Sequence, residues 1–264
     1  MSAAVKNQPL AGKGVVVTRP AHQARELARL IEEAGGNPIP FPAIEIRDVE
    51  DIGPFTRLID RLDEFDLAVF ISPNAIERAL RLIQARRKLP PDLKIAAIGG
   101  GSVKALERHG VTGVIAPQGR YDSEALLERS EIAGAKRVVI FRGEGGREHL
   151  GDTLSAGGAV VEYAECYRRV RPTLDPAPLL RAWSGGGIHA VTATSSEGLS
   201  NFAGMIGAAG REPLQRTPLF VPHPRIAEAA RALEIQAVIV TGPGDEGVLD
   251  GLNAFFNAPH RKKQ

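Results

Sequence analysis

The chain has one cysteine, Cys166, so it can form neither an intrachain disulfide nor a thiolate metal cluster. Aromatic residues make up only 5% of its 264 residues, and the core must be filled mainly by Val, Ile, Leu and Ala. Neither sign of charge predominates. A formal net charge of +2 argues against a nucleic-acid protein built on a broad basic face. The one dense basic run, His260–Gln264, reads as a solvated tail. No apolar stretch approaches a membrane span, and the opening MSAAVKNQPLAGKG lacks a signal-peptide core, so no membrane contact and a cytoplasmic location are expected. Nucleotide motifs are missing too. AIGGGS at Ala97, RGEGG at Arg142 and TGPGDEG at Thr241 follow apolar runs; the first, GGGSVKA, lacks the spaced G-x-G-x-x-G and an acidic partner about 20 residues on, and no G-x-x-x-x-G-K-[ST] loop occurs. These turns read instead as places where a flexible ligand approaches the backbone.

What the chain does have is a long internal repeat. KGVVVTRPAHQARELARLIEEAGGNPIPFPAIEI (13–46) is answered by KRVVIFRGEGGREHLGDTLSAGGAVVEYAECYRR (136–169), and the offset from Arg19 to Arg142 is 142 − 19 = 123. VFISPNAIERAL at Val69 pairs with VTATSSEGLSNF at Val191, setting Ser72 against Thr194 at 194 − 72 = 122, and IAAIGGGSVKAL at Ile95 pairs with PLFVPHPRIAEAA at Pro218. A duplication of this length predicts two similar α/β lobes facing each other across an open cleft.

Short apolar runs alternate with helical patterns, the mark of parallel βα units. Strands are expected at Gly14–Thr18, Leu67–Ile71, Ile95–Ile98, Val114–Ala116, Arg137–Phe141, His189–Thr192, Leu219–Val221 and Ala237–Val240. Each is followed by Gly, Pro, Ser or Asn and then a helix, which puts polar groups and helix N-termini where open α/β sheets bind ligands. Two longer extended runs, Pro38–Ile46 and Ala159–Val170, occupy matching places in the repeats. Pro38, Pro40 and Pro42 suit an edge or a connector. If these runs are paired crossover strands, the chain starts in lobe one (1–43 with 172–264), builds lobe two (48–165) and returns, with 38–47 and 159–171 as a two-stranded connector. The fold expected is α/β, each lobe a parallel, flavodoxin-like sheet flanked by helices.

The candidate ligand groups stand at the strand ends. Arg19 and Arg142, the latter with Gly143, are repeat-equivalent, which supports a ligand role; an arginine there is equally placed to cap a helix or to pair with Glu45 or Glu144. Ser72 and Asn74, and Thr194, Ser195 and Ser196, offer donors beside free helix amides; one in each set should be an N-cap. Asn201 falls inside the next helix, a position that suits solvent. His223 and Arg225 open another helix, where a histidine before proline is more often structural.

Ordered along the chain, VVVTRPAHQ, FPAIEI, FISPNAI, AIGGGSVKAL, DSEALL, RGEGGREHL, YAECYRR, TSSEGLSNF and FVPHPRIAEAA resemble the uroporphyrinogen-III synthase family over residues 13–252. Ser102 and Val103 depart from it, where threonine and alanine are common. The resemblance implies a discontinuous two-lobe fold with no cofactor and no metal. It also implies cyclisation of the linear tetrapyrrole hydroxymethylbilane to uroporphyrinogen III, with inversion of the last ring through a spiro intermediate. Loss of the terminal hydroxyl gives an electron-deficient azafulvene that closes unaided to the wrong isomer. The protein's task is therefore one of positioning. A bias of about 1.4 kcal/mol already gives tenfold selectivity. Tyr167 matches the family's tyrosine in the YRR context and is implied to donate a hydrogen bond to the departing hydroxyl. Tyr163, four residues earlier and expected on the same strand face, is its competitor. With eight carboxylates on the substrate, Arg19, Ser72, Asn74, Arg142, Gly143, Thr194, Ser195, Ser196, Asn201, His223 and Arg225 are the expected binding set. A monomer is expected, with transient handover from hydroxymethylbilane synthase. The repeat by itself also suits an intracellular two-lobed sensor without catalysis, or a two-lobe glycosyltransferase.

Overall fold

A computed structural model describes residues 8–117, 122–146 and 148–258; the His260–Gln264 tail and Arg147 of RGEGGREHL lie outside them. The chain divides into two compact units, one formed by the chain up to Glu45 together with the chain from Val170 onward, the other by Ile46–Arg169. Along the sequence, β1 (Gly14–Val17), α1 (Ala21–Glu33) and β2 (Asn37–Pro40) belong to the first unit. There follow β3 (Glu45–Arg47), α2 (Gly53–Asp60), β4 (Leu67–Phe70), α3 (Pro73–Arg86), β5 (Lys94–Ala97), α4 (Gly100–Arg108), α5 (Ser123–Leu127), β6 (Arg137–Gly143), α6 (His149–Ala156) and β7 (Val160–Val170). The chain then returns through α7 (Ala177–Ser184), β8 (Ala190–Thr192), α8 (Ser196–Arg216), β9 (Leu219–Val221), α9 (Pro224–Ala232), β10 (Val238–Val240) and α10 (Gly244–Asn257).

The strand order is β10-β9-β8-β1-β2 in one sheet and β3-β7-β6-β4-β5 in the other, and the pairs with a recorded register are all parallel. Numbered by their own order, the first five run 2-1-3-4-5, as in flavodoxin-like sheets. The repeat governs both. Its copies place β1, β2, β8 and β9 against β6, β7, β4 and β5, and the spatial orders β2-β1-β8-β9 and β7-β6-β4-β5 coincide. Each sheet thus joins half of one repeat to half of the other.

Register corrects the repeat alignment. Val17 pairs with Thr192, and its counterpart Ile140 (140 − 17 = 123) pairs with Val69, so Val69 answers Thr192 at 192 − 69 = 123. The partner of Ser72 is therefore Ser195, not Thr194. Both serines cap helices in the same way, accepting the amide three residues on.

Alternation along the central strands sends side chains to two apolar layers in each unit. Val15 and Val17 meet Leu27 and Ile31 of α1 with Val248 and Leu252 of α10, whereas Val16 and Val191 meet Leu199 and Phe202 of α8 with Ile226 of α9. In the second unit Ala68, Phe70 and Phe141 pack under α2, α3 and α4, and Leu67, Val69 and Ile140 under α5 and α6.

Two sequence expectations change. Pro38–Ile46 is not one strand: β2 ends at Pro40 on the edge of the first sheet, and β3 starts at Glu45 on the edge of the second, beside β7. The prolines explain the edge. Asn37 and Phe41 donate their amides to Lys13 and Val17, so Pro38 and Pro40 fall at the alternate, outward positions that need no donor. Val114–Ala116 forms only a single bridge, Ile115 to Ala96.

Candidate active site

In the second unit the carboxyl ends of β4, β6 and β7 bring three sequence-singled residues together. Ser72 follows β4 with extended backbone, and Pro73 supplies a φ suited to the first helical position. Its Oγ accepts the Ala75 amide at 3.1 Å and lies 3.1 Å from the Tyr167 hydroxyl. Tyr167 is 3% exposed. Its ring lies over Gly143, where a Cβ would stand 2.7 Å from both Cε2 and Cζ. Gly143 is needed for this close approach. Asn74 sits half-buried in the first turn of α3.

Tyr163 and Tyr167 do not share a face. The β6–β7 register runs Phe141 with Ala164, Arg142 with Glu165, then Gly143 with Tyr167, so Cys166 is one extra residue in a bulge. Ala164, Cys166 and Tyr167 all join the layer under α2, α3 and α4, while Tyr163 packs on the α5–α6 side. A bulge flips the alternation beyond it, which overturns the same-face expectation. Tyr163 instead lies over Gly151 of α6, and its hydroxyl is 3.5 Å from the Glu148 carbonyl. Burial pushes its phenol pKa up, opposed by the nearby Arg142 cation. Burial also raises the Cys166 thiol, which donates to the Ala164 carbonyl at 3.0 Å.

Arg142 lies on the Tyr163 side. Its guanidinium carbon is 3.8 Å from the Tyr163 ring centroid, Nη2 is 3.0 Å from Glu165, and Nη1 donates to the Gly146 carbonyl at 3.3 Å. Only 6% exposed, it is engaged in bracing the 143–146 turn. The partner is Glu165, two residues before Tyr167 on β7, rather than Glu45 or Glu144.

The first unit carries a second set at the ends of its own strands. Arg19 after β1 pairs with Asp245 in the first turn of α10. Ser195 caps α8 through the Gly198 amide at 2.9 Å, and half-buried Thr194 precedes it. Ser196 Oγ donates to the Arg225 carbonyl at 3.4 Å, tying the starts of α8 and α9 together. His223 is a cap: its Nδ1 accepts the Arg225 amide at 3.1 Å, while the Arg225 side chain is exposed. Asn201 is not simply turned to solvent, because its Nδ2 donates to the Ala43 carbonyl at 3.1 Å and holds the segment after β2.

Sequence reasoning missed several residues. Thr18 donates to the Thr192 carbonyl at 2.8 Å and Thr192 to the Val16 carbonyl at 3.0 Å, a buried reciprocal clasp between β1 and β8. Glu165, Asp245 and Gly151 were also passed over. Glu165 carried no readable signal, since its partner Arg142 is set by the β6–β7 pairing. Among the described residues no group of three or more His, Cys, Asp or Glu is placed to hold a metal ion, and no helix is long and apolar enough to cross a membrane.

The fold and these strand-end clusters define a duplicated α/β protein of the kind that handles small molecules at the carboxyl edges of parallel sheets. A family model described as "Uroporphyrinogen-III synthase HemD" matches residues 25–250. The chain is 36% identical to the uroporphyrinogen-III synthase of Escherichia coli over 242 residues, 89% of this chain and 97% of that one. It is 34% identical to the Salmonella typhimurium enzyme over the same shares. Among solved structures, a mutant uroporphyrinogen III synthase from Thermus thermophilus superposes with a TM-score of 0.60 at 17% identity, covering 90% of this chain and 96% of that one. The Helicobacter pylori uroporphyrinogen-III synthetase gives 0.54 at 16%, covering 90% and 97%. These two support the fold. The chain belongs to the uroporphyrinogen-III synthase family.

Proposed function

We propose that this chain is a uroporphyrinogen-III synthase, a cyclising lyase of tetrapyrrole biosynthesis that converts hydroxymethylbilane to uroporphyrinogen III with loss of water and inversion of ring D. The observation that carries the site assignment is the seating of the Tyr167 phenol on Gly143 with its hydroxyl at 3.1 Å from Ser72. A rigid phenol at the carboxyl edge of a sheet suits a reaction in which one hydroxyl must leave and a reactive chain must then be held in one fold. Its O–H donates to the departing oxygen. As that C–O bond breaks, the terminal pyrrole becomes the azafulvene, its N–H proton is lost, and the oxygen leaves as water. The substituted carbon of ring D then attacks to give the spiro intermediate, and fragmentation and reclosure invert the ring.

The chemistry after hydroxyl loss belongs to the substrate, so no cofactor or metal is assigned a step. In the second unit Asn74 and the first turn of α3 serve the substrate, and Gly143 provides the close approach. In the first unit the donors for substrate carboxylates are the start of α8 with Thr194, Ser195 and Ser196, the Arg225 side chain, and Arg19 beside its Asp245 partner. Asn201 and His223 act by shaping that edge through their bonds to Ala43 and the Arg225 amide. We further propose a cytoplasmic monomer that receives its unstable substrate directly from the preceding synthase.

Tyr167→Phe tests the assignment. It removes one hydroxyl from a packed ring, and the rate of type III formation should fall by roughly 10²- to 10⁴-fold, the range for loss of a positioned proton donor. A variant that forms type III product at the unsubstituted rate would remove Tyr167 from the chemistry.

A further inference from the structure

Ser72 takes part in two hydrogen bonds at once. Its Oγ accepts the Ala75 amide as the cap of α3, and the same oxygen is 3.1 Å from Tyr167 Oη. A serine hydroxyl has one proton to donate. Among the described residues the Tyr167 oxygen is the acceptor within its reach. If Ser72 donates to Tyr167, the phenol's own proton is released from the protein and can be aimed at a ligand; if Tyr167 donated instead, its proton would be spent internally. The first arrangement satisfies the serine and leaves the phenol proton uncommitted within the protein.

The surroundings fix this geometry from two further sides. The ring lies close over the β6 backbone, since a Cβ at Gly143 would stand 2.7 Å from its Cε2 and Cζ. The bulge at Cys166 turns Tyr167 onto the Ser72 side of the sheet. α3 is a 14-residue helix, so the amides at its start carry partial positive charge, and the chain Ala75 N–H to Ser72 O–H to Tyr167 O–H is polarised in one direction. We infer that Ser72 is a positioning residue for Tyr167, orienting and polarising its hydroxyl toward the leaving oxygen, rather than a group that grips a substrate carboxylate. This deepens, and rests on, the role proposed for Tyr167.

The test is a mutant cycle on the full chain, with type III uroporphyrinogen formed from fresh hydroxymethylbilane as the readout and thermal melting as the control for folding. Ser72→Ala should lower kcat by roughly ten- to a hundredfold, the loss typical of a slightly misplaced group, with KM changed by less than about twofold. Ser72→Thr restores both bonds and should recover most of the rate. Ser72→Asp keeps a side chain that caps as well as serine but brings no proton at neutral pH, so it should keep the fold while remaining as slow as Ser72→Ala. In a Tyr167→Phe background, Ser72→Ala should add less than about a further twofold. The inference is overturned if the two losses multiply, if Ser72→Ala raises KM while leaving kcat alone, or if Ser72→Asp works as well as serine. If Tyr167→Phe itself proceeds at the unsubstituted rate, the underlying assignment of Tyr167 fails instead, which the same data set identifies separately.

Discussion

Gly143→Ala perturbs the proposed site by a single methyl group. The backbone there is ordinary strand, so alanine meets no torsional penalty, and the effect is steric. Its Cβ would stand 2.7 Å from Tyr167 Cε2 and Cζ, ring carbons of a residue that is 3% exposed. Carbon atoms rest at about 3.5–4.0 Å, so the ring must withdraw by roughly 1 Å. It withdraws against Phe70, Phe141 and the rest of its layer. Overpacking of this kind costs about 1–3 kcal/mol. At roughly 2–4 °C per kcal/mol for a chain of this size, Tm should drop by about 2–12 °C. The same movement carries the phenol oxygen out of the 3.1 Å bond to Ser72, and a displacement near 1 Å at a reacting group costs about a hundredfold in rate. Differential scanning calorimetry and the type III assay on one preparation measure both. Gly101→Ala is the control, because its Cβ meets nothing closer than Pro73 Cγ at 3.8 Å. It should melt within about 1 kcal/mol of the parent, an alanine being the better helix former. Unchanged Tm and unchanged rate for Gly143→Ala would refute the seating of Tyr167.

On the opposite face, Gly151→Ala would set a Cβ 2.0 Å from the Tyr163 hydroxyl and should destabilise by about 1–3 kcal/mol in urea. Adding Tyr163→Phe removes that oxygen and should recover part of the loss; no recovery would place the clash elsewhere. His189 accepts the Gly14 amide at Nδ1, and burial, with Lys13 adding to it, lowers its pKa below the usual histidine value. The unfolded chain therefore binds this proton more readily. Stability from His189 is present above about pH 6.5 and is lost as pH falls from there through the lowered folded value, so the urea midpoint should drop on the acid side. His189→Gln should flatten that part of the profile, and an identical slope in the variant would dismiss the cause. Ser195→Ala should cost about 1 kcal/mol by uncapping α8, whereas Ser195→Asp should stay near the parent in urea unfolding; equal losses would show that the hydroxyl does more than cap.

Much of the fold is legible because parallel βα units declare themselves in short apolar runs ended by turn residues. Leu219–Val221 is found as read, and β1, β4, β8 and β10 fall within one residue of their expected spans at either end. The repeat also explains why the two sheets are alike, with β2-β1-β8-β9 matching β7-β6-β4-β5, although the order itself comes from the strand pairing. What is illegible is set by register. Nothing in YAECYRR shows that Cys166 is bulged, yet that residue decides which face Tyr167 takes. The slip between Thr194 and Ser195 has the same origin, for a run of small polar residues aligns equally well in two frames, and only strand pairing and capping choose. Ser72, Gly143 and Tyr167 were each readable as candidates; that they touch follows from β4 and β7 both flanking β6. Arg142 was readable as a strand-end arginine. Its engagement with Glu165 and Tyr163 was not, because the odds of an internal partner depend on the neighbouring strand.

As a uroporphyrinogen-III synthase, this chain directs ring closure toward the inverted isomer. Purified protein incubated with freshly generated hydroxymethylbilane, with no added metal or nucleotide, should yield predominantly type III uroporphyrin after oxidation and chromatographic separation of the isomers. Formation of type I alone, at the rate seen without protein, would show that the chain does not direct the closure.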